Sequence, residues 1–190
     1  DEFAEVIPLL ATVGRALPAE AAGEARHTAL VAGAAGKRQV EVGARTVAFA
    51  AFVVAVILGV YQVANRSGLF PELESHSLYF ASVSTHGVLM GFVLTTFFIA
   101  GYGYYTASTS LKQEIWNKPL AWFGFLLCLV GVLLAAGPLL TGNASVLYTF
   151  YPPLMAHPAF YIGAALLVVG SWVWCLEMVV MMAIWKKAHP

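Results

Sequence analysis

From residue 46 onward the chain is a series of long apolar runs parted by short polar breaks. The first, "TVAFAAFVVAVILGVYQVAN", lies between Arg45 and Arg66, its helix placed at about 46–65, and the others cover about 79–106, 119–140 and 154–185. A helix needs about 20 mostly apolar residues to cross a bilayer, so each run predicts a spanning helix. The fold class is all-α, an integral membrane bundle of four transmembrane helices within residues 44–190. The third and fourth runs share one uncharged stretch and need a break, which "GPLLTGNASVLYTFYPP" supplies through Gly137-Pro138, Gly142-Asn143 and Pro152-Pro153. The proline pair predicts the start of the fourth helix, where a missing N–H costs little. Residues 1–43 differ, being alanine-rich and mixed in charge, with an apolar patch, "FAEVIPLLATV", interrupted by Pro8 and too short to span. They read as a cytoplasmic N-terminal extension, open between a surface-lying helix and a loosely ordered tail.

Charge adds an orientation. Lys37, Arg38 and Arg45 precede the first helix, Lys112 and Lys118 lie between the second and third, and Lys186 and Lys187 follow the fourth. The loop after the first helix holds only Arg66 against Glu72 and Glu74, and the loop after the third holds no charge. The positive-inside rule then puts both termini in the cytoplasm. With 60% hydrophobic and 11% charged residues and zero formal net charge, the chain has the make-up of a membrane protein and no basic patch for nucleic acid. Cys128 and Cys175 sit inside apolar runs without a C-x-x-C spacing and read as small buried hydrophobes. The first residues, Asp-Glu-Phe, carry no positive n-region of a cleavable signal.

Ionisable groups inside a bilayer are costly and are functional hypotheses by default. His86, in "STHGVLMGFVLTTFF" (84–98), is the leading one, on the order of 10 Å in from the start of its helix. Its imidazole has three readings: a ligand to a metal or haem iron, a proton relay, or a hydrogen bond to a facing helix. Gly87 and Gly91 form a GxxxG spacing that admits either a flat ligand or a close helix. His86, Leu89, Met90, Val93 and Phe97 make a mostly apolar stripe, suited to a porphyrin wall or to bundle packing. Glu177, in the fourth helix, is open between a proton-relay acid, snorkelling and pairing with a neighbouring helix. Tyr102, Tyr104 and Tyr105 fit an interfacial aromatic belt. Of the other histidines only His157, at the outer start of the fourth helix, shares a leaflet and depth with His86.

At "THGVL" and "ASVLYTFYPPLMAHPAFYIGA" the chain resembles subunit I of the haem-copper terminal oxidases, specifically the B-family cytochrome c oxidases. The resemblance covers about residues 45–190, with a Gln-x-x-Asn ending the first helix, His-Gly-Val-Leu in the second and the Tyr-Thr-Phe-Tyr-Pro-Pro-Leu loop in the right order. It implies that His86 is an axial ligand of the low-spin haem and that Gln62 and Asn65 lie near that haem. It places Tyr148 and Tyr151 in an outer loop near the haems and gas-access route, and gives His157 a structural or propionate-side role. Gly87 would lie against the porphyrin face.

The family's reaction is reduction of dioxygen to water, with electrons from a c-type cytochrome or similar donor and coupled proton pumping. The resemblance therefore implies a cytochrome c oxidase of a prokaryotic plasma membrane. Its partners would be the rest of subunit I or a completing chain, and a subunit II whose copper centre takes in electrons. The high-spin haem and copper of the complete enzyme are expected to be held by residues outside this chain. Three other readings stay open: a nitric oxide reductase or quinol oxidase of the same superfamily, a non-catalytic four-helix scaffold subunit, and an electron carrier using His86 with His157.

Overall fold

The structure, a computed structural model, describes residues 19–68, 76–147 and 150–189, with side chains described from residue 39 onward except at His76. The chain divides into two compact units, Asp1–Gly36 and Lys37–Pro190, and the four candidate membrane spans belong to the second. Four helices long and apolar enough to cross a membrane span Gln39–Arg66, Ser77–Ser110, Lys118–Leu140 and Pro158–Ala188. We call α1 the helix Ala19–Arg66, α2 the unbroken run His76–Val88, Leu89–Leu94 and Thr95–Ser110, α3 Lys118–Leu140 and α4 Pro158–Ala188. Among the described residues no strand forms; the sole β-type pairing is a bridge between Ala144 and Ala156.

Two helix starts differ from the sequence expectation. α1 begins well before its apolar run, because the alanines and charged residues upstream are good helix formers. α4 begins at Pro158, four residues after the expected Leu154, so Pro152-Pro153 lies in the loop and not at the helix start. His157 occupies the N-cap, and Pro158, whose missing N–H is one of the helix's unpaired donors anyway, holds the first helical position. At α3 a more ordinary cap operates, the Asn117 side-chain oxygen accepting from the Leu120 amide at 3.1 Å.

α1 and α3 meet their neighbours through rows of small residues, and α4 through a row in which glycines alternate with larger side chains. On α1 the row is Ala44, Ala48, Ala51 and Ala55, all buried, while Phe49, Val53, Val56 and Ile57 point outward. Along α3 the buried row is Ala121, Gly124, Cys128, Gly131 and Ala135; along α4 it is Phe160, Gly163, Leu167, Gly170, Glu177 and Met181. Apart from one full step of seven from Gly170 to Glu177, both rows step by three and four residues, the seven-residue repeat of a left-handed helix pair. The backbones come so close that a Cβ on Gly163 would lie 2.4 Å from the Gly131 oxygen, and one on Gly131 would lie 2.6 Å from the Gly163 oxygen. Membrane helices gain little from expelling water between them, so close backbone approach through small residues is what holds such a pair.

α2 changes pitch midway. Its six residues Leu89–Leu94 form a π-helical turn. The buried positions record it: Ser84, Val88, Val93, Phe97 and Gly101 step by four except for one step of five, from Val88 to Val93. The turn reorients the second half of α2 relative to the face carrying His86, so His86 and Phe97 do not lie on the single stripe expected from a 3.6-residue period. Such turns recur at functional sites.

Candidate functional site

His86 is half-buried and faces α1. Its Nδ1 lies 2.8 Å from the carbonyl oxygen of Ala55. A carbonyl only accepts, so Nδ1 carries the proton and donates it, and Nε2 keeps its lone pair. α1 accommodates the ring because residue 59 is glycine: a Cβ there would come within 3.3 Å of His86 Cε1 and 3.5 Å of Nδ1.

One turn earlier on α2, the Gln62 side-chain amide donates to the Ser82 carbonyl at 3.1 Å, a second tie between the same two helices. Ser82 turns its own hydroxyl to the Tyr79 carbonyl at 2.7 Å. Asn65 follows Gln62 by three residues on α1 and is half-buried. Ser84, fully buried, accepts from the Leu147 amide at 3.0 Å and fastens the α3–α4 loop to α2 two residues before the histidine. Leu147 and Phe150 have φ of 56° and 53°, a left-handed conformation unusual for large side chains and concentrated at functional sites. Phe150 packs its ring against Phe92, Phe160 and Tyr161.

The residues expected near a haem are thus partly gathered. Gln62 and Asn65 share the α1 end that faces the start of α2, and Gly87 is half-buried beside His86. Tyr148 lies outside the described residues. Tyr151 is exposed. His157 is exposed and caps α4: its Nδ1 accepts from the Ala159 amide at 3.2 Å, and its own amide donates to the Asn143 carbonyl at 2.9 Å. That leaves the His157 proton on Nε2, the tautomer opposite to that of His86 and one with no lone pair free while it caps. Among the described residues no group of three or more His, Cys, Asp or Glu comes together to hold a metal ion.

Gly91 does not serve helix packing, since a Cβ there would meet nothing within 4 Å. Glycines that do include Gly124, Gly131, Gly163 and Gly170 between α3 and α4, Gly101 between α2 and α1, and Gly103 against Trp174 of α4. An apolar cavity of about 520 Å³ opens between α2, α3 and α4, walled by Val88, Phe92, Gly131, Phe160, Gly163 and Trp172 among others. His86 is not among the residues that wall it.

At the opposite end of the bundle Tyr104 and Glu177 find each other. The Tyr104 hydroxyl donates to Glu177 Oε2, and both side chains are buried. Of the three tyrosines expected in an interfacial belt, Tyr102 and Tyr105 are exposed and Tyr104 is 3% exposed, so Tyr104 is a core residue. Glu177 neither snorkels nor reaches solvent; it pairs with a neighbouring helix.

The fit to a haem-type ligand is direct. Ligating histidines almost always donate the other ring N–H to a carbonyl or carboxylate, which fixes the tautomer and orients the ring. His86 has that bond, and the donor atom it leaves is Nε2.

Residues 43–190 match the family described as cytochrome c and quinol oxidase polypeptide I. The chain is 34% identical over 151 residues to cytochrome c oxidase subunit 1 of Thermus thermophilus, an alignment covering 75% of this chain and 26% of that protein. It also matches a solved haem-copper terminal oxidase dimer with a TM-score of 0.74 and 35% identity, covering 82% of this chain and 27% of the matched one. The chain therefore spans about a quarter of the length of these relatives.

Proposed function

The chain belongs to the haem-copper oxidase subunit I family, and from that premise we propose that it supplies one axial ligand of a low-spin haem, Nε2 of His86, in a cytochrome c oxidase. The observation that carries the reading is the 2.8 Å bond from His86 Nδ1 to the Ala55 carbonyl. A haem held here would supply reversible one-electron transfer, its potential tuned by the hydrogen bonds of its ligand and by burial.

The chain's own residues do the positioning. Ala55 holds the imidazole in the tautomer that leaves Nε2 basic, and strengthens that basicity through the bond it accepts. Gly59 lets the ring lie against α1 so that its angle is set by backbone. Gln62, bonded to Ser82, ties the helices together one turn away, and by likeness to the family Asn65, Gly87, Tyr148, Tyr151 and His157 would complete the haem's surroundings. Capping by His157 supports a structural role for it at this end.

In the complete enzyme the reading is electron transfer toward a haem-copper centre that reduces dioxygen to water with proton pumping. The second low-spin ligand, the high-spin haem and the copper would be held by the rest of subunit I or a completing chain. A c-type cytochrome would deliver electrons by way of a subunit II copper centre. Both termini of this bundle would face the cytoplasm of a prokaryotic plasma membrane, as the basic residues require.

The test is His86→Ala in the complete enzyme. We expect the low-spin α band to disappear and dioxygen consumption to fall to background. A normal α band in that variant would sink the assignment.

A further inference from the structure

Glu177 is fully buried, yet only one of its two oxygens is accounted for. Oε2 accepts from the Tyr104 hydroxyl, while Oε1 has no hydrogen-bond partner. One turn away on the same helix, Trp174 Nε1 is also buried and without a partner. Residues three apart share a helix face, so the unpaired N–H donor and the unpaired carboxyl oxygen belong to neighbouring positions of one face. A cavity of about 190 Å³ between all four helices reaches both Tyr104 and Trp174. That is far more than the roughly 10–15 Å³ that one water occupies.

The groups around Glu177 are dipoles, not cations. From α2 comes the Tyr104 hydroxyl. On α1, Glu41 and Arg45 pair with each other at 3.7 Å. In the loop, Lys118 pairs with Glu114 at 2.6 Å. A bare buried carboxylate without a cation is among the costliest groups a protein can hold, whereas the neutral acid is tolerable.

The pair also lies close to an aqueous surface. Ile115 of the α2–α3 loop packs with Tyr104 in the cluster that includes Trp174, so one apolar side chain of that loop covers the site. Polar groups flank the cover: Gln113 donates to the Met181 carbonyl at 2.8 Å, and the buried Ser108 hydroxyl to the Tyr104 carbonyl at 2.6 Å.

We propose that Glu177, Tyr104 and Trp174 form a proton-exchange site whose ligand is water, bound between Trp174 Nε1 and Glu177 Oε1. Trp174 donates to the water oxygen, and Glu177 carries its proton on Oε1. In the exchange step the Oε1–H bond breaks, and the bound water takes that proton and releases one of its own to a second water on the loop side. The bound molecule therefore stays neutral and the charge leaves toward the surface. The carboxylate left behind is held by the Tyr104 hydroxyl until a proton returns by the reverse route. No electrons move. Water enters past Ile115 from the loop Leu111–Asn117 side.

The experiment is infrared spectroscopy of the complete protein in H₂O and in D₂O, on wild type, Glu177→Gln and Tyr104→Phe. We expect a protonated-carboxyl C=O band that is lost in E177Q, shifts down in D₂O, and moves up in frequency when Y104F removes the donor to Oε2. A wild-type band that persists in E177Q, or that never shifts in D₂O, overturns the proposal. Should E177Q not assemble, Y104F decides alone, and an unmoved band there also overturns it. The readout is the carboxyl itself, so its outcome leaves the haem reading at His86 untouched.

Discussion

The α3–α4 seam and the α1–α2 face both bring two helices together, with opposite materials. Along α3–α4 the contact is backbone on backbone through glycine, and the one side-chain bond across it is the weak 3.5 Å Cys128 thiol contact to the Leu167 carbonyl. Along α1–α2 the row is alanine with one close glycine, Gly101, whose Cβ would lie 3.2 Å from the Glu41 oxygen, and away from it His86 and Gln62 bridge the helices to opposing carbonyls. The difference is what each seam leaves over. Glycine packing consumes no chemistry and offers none. A bridging imidazole spends one nitrogen on the neighbouring helix and keeps the other for something else.

The comparison breaks most readily at Gly163. Its Cβ would sit 2.4 Å from the Gly131 oxygen and 2.9 Å from the Ala135 nitrogen, and neither backbone atom can step aside. Gly163→Val should therefore cost more than the ~1–3 kcal/mol of ordinary overpacking, and little folded protein should be recovered from membranes. Gly91→Val is the matched control, because nothing lies within 4 Å of a Cβ there. Equal yields and melting temperatures for the two variants would show that the seam is not held by close approach.

That contrast also marks what the sequence makes legible. The four spans follow from bilayer thickness, and they stand where the apolar runs stand. His86 stands out because a lone imidazole in an apolar run is costly, and the structure gives it a hydrogen bond to a facing helix, one of the three readings its residue type allows. The packing glycines are less so: the GxxxG at Gly87 and Gly91 draws attention, whereas the working signal is the seven-residue spacing of Gly124 with Gly131 and Gly163 with Gly170. The π turn leaves no trace, since all of Leu89–Leu94 is apolar or glycine and either pitch would bury it. The start of α4 misleads because two prolines compete for it. Neither could the partner of Glu177 be read, as nothing local links residues 73 apart, and Tyr104 stands beside two tyrosines that do face outward.

Gly59 tests the other seam at intermediate strength. A Cβ there sits 3.3 Å from the imidazole, tight but against a side chain that can tilt. Gly59→Val should cost less stability than Gly163→Val, because a ring yields where a backbone does not. If His86 is the haem ligand, the same variant should shift the low-spin α band with most of the haem retained. A melting loss as large as that of Gly163→Val, with an unmoved band, would mean that α1–α2 is a packing seam like the other and the imidazole merely part of it.

The smallest effect belongs to Gln62. Its bond to the Ser82 carbonyl is a single side-chain tie between membrane helices, and such ties average about 0.6 kcal/mol. Gln62→Leu keeps the bulk and removes the donor, so the melting temperature should fall only slightly. The carbonyl it leaves still has the intrahelical amide of His86, four residues on, as its partner. The informative comparison is therefore between spectra, not stabilities: Gly59→Val disturbs the ring from below, and Gln62→Leu loosens the helix that carries it one turn away. A band shift in the first and a weaker one in the second is what a ligand oriented chiefly by Ala55 and Gly59 requires. A larger shift from Gln62→Leu would move the orienting role from the carbonyl under the ring to the spacing between the helices.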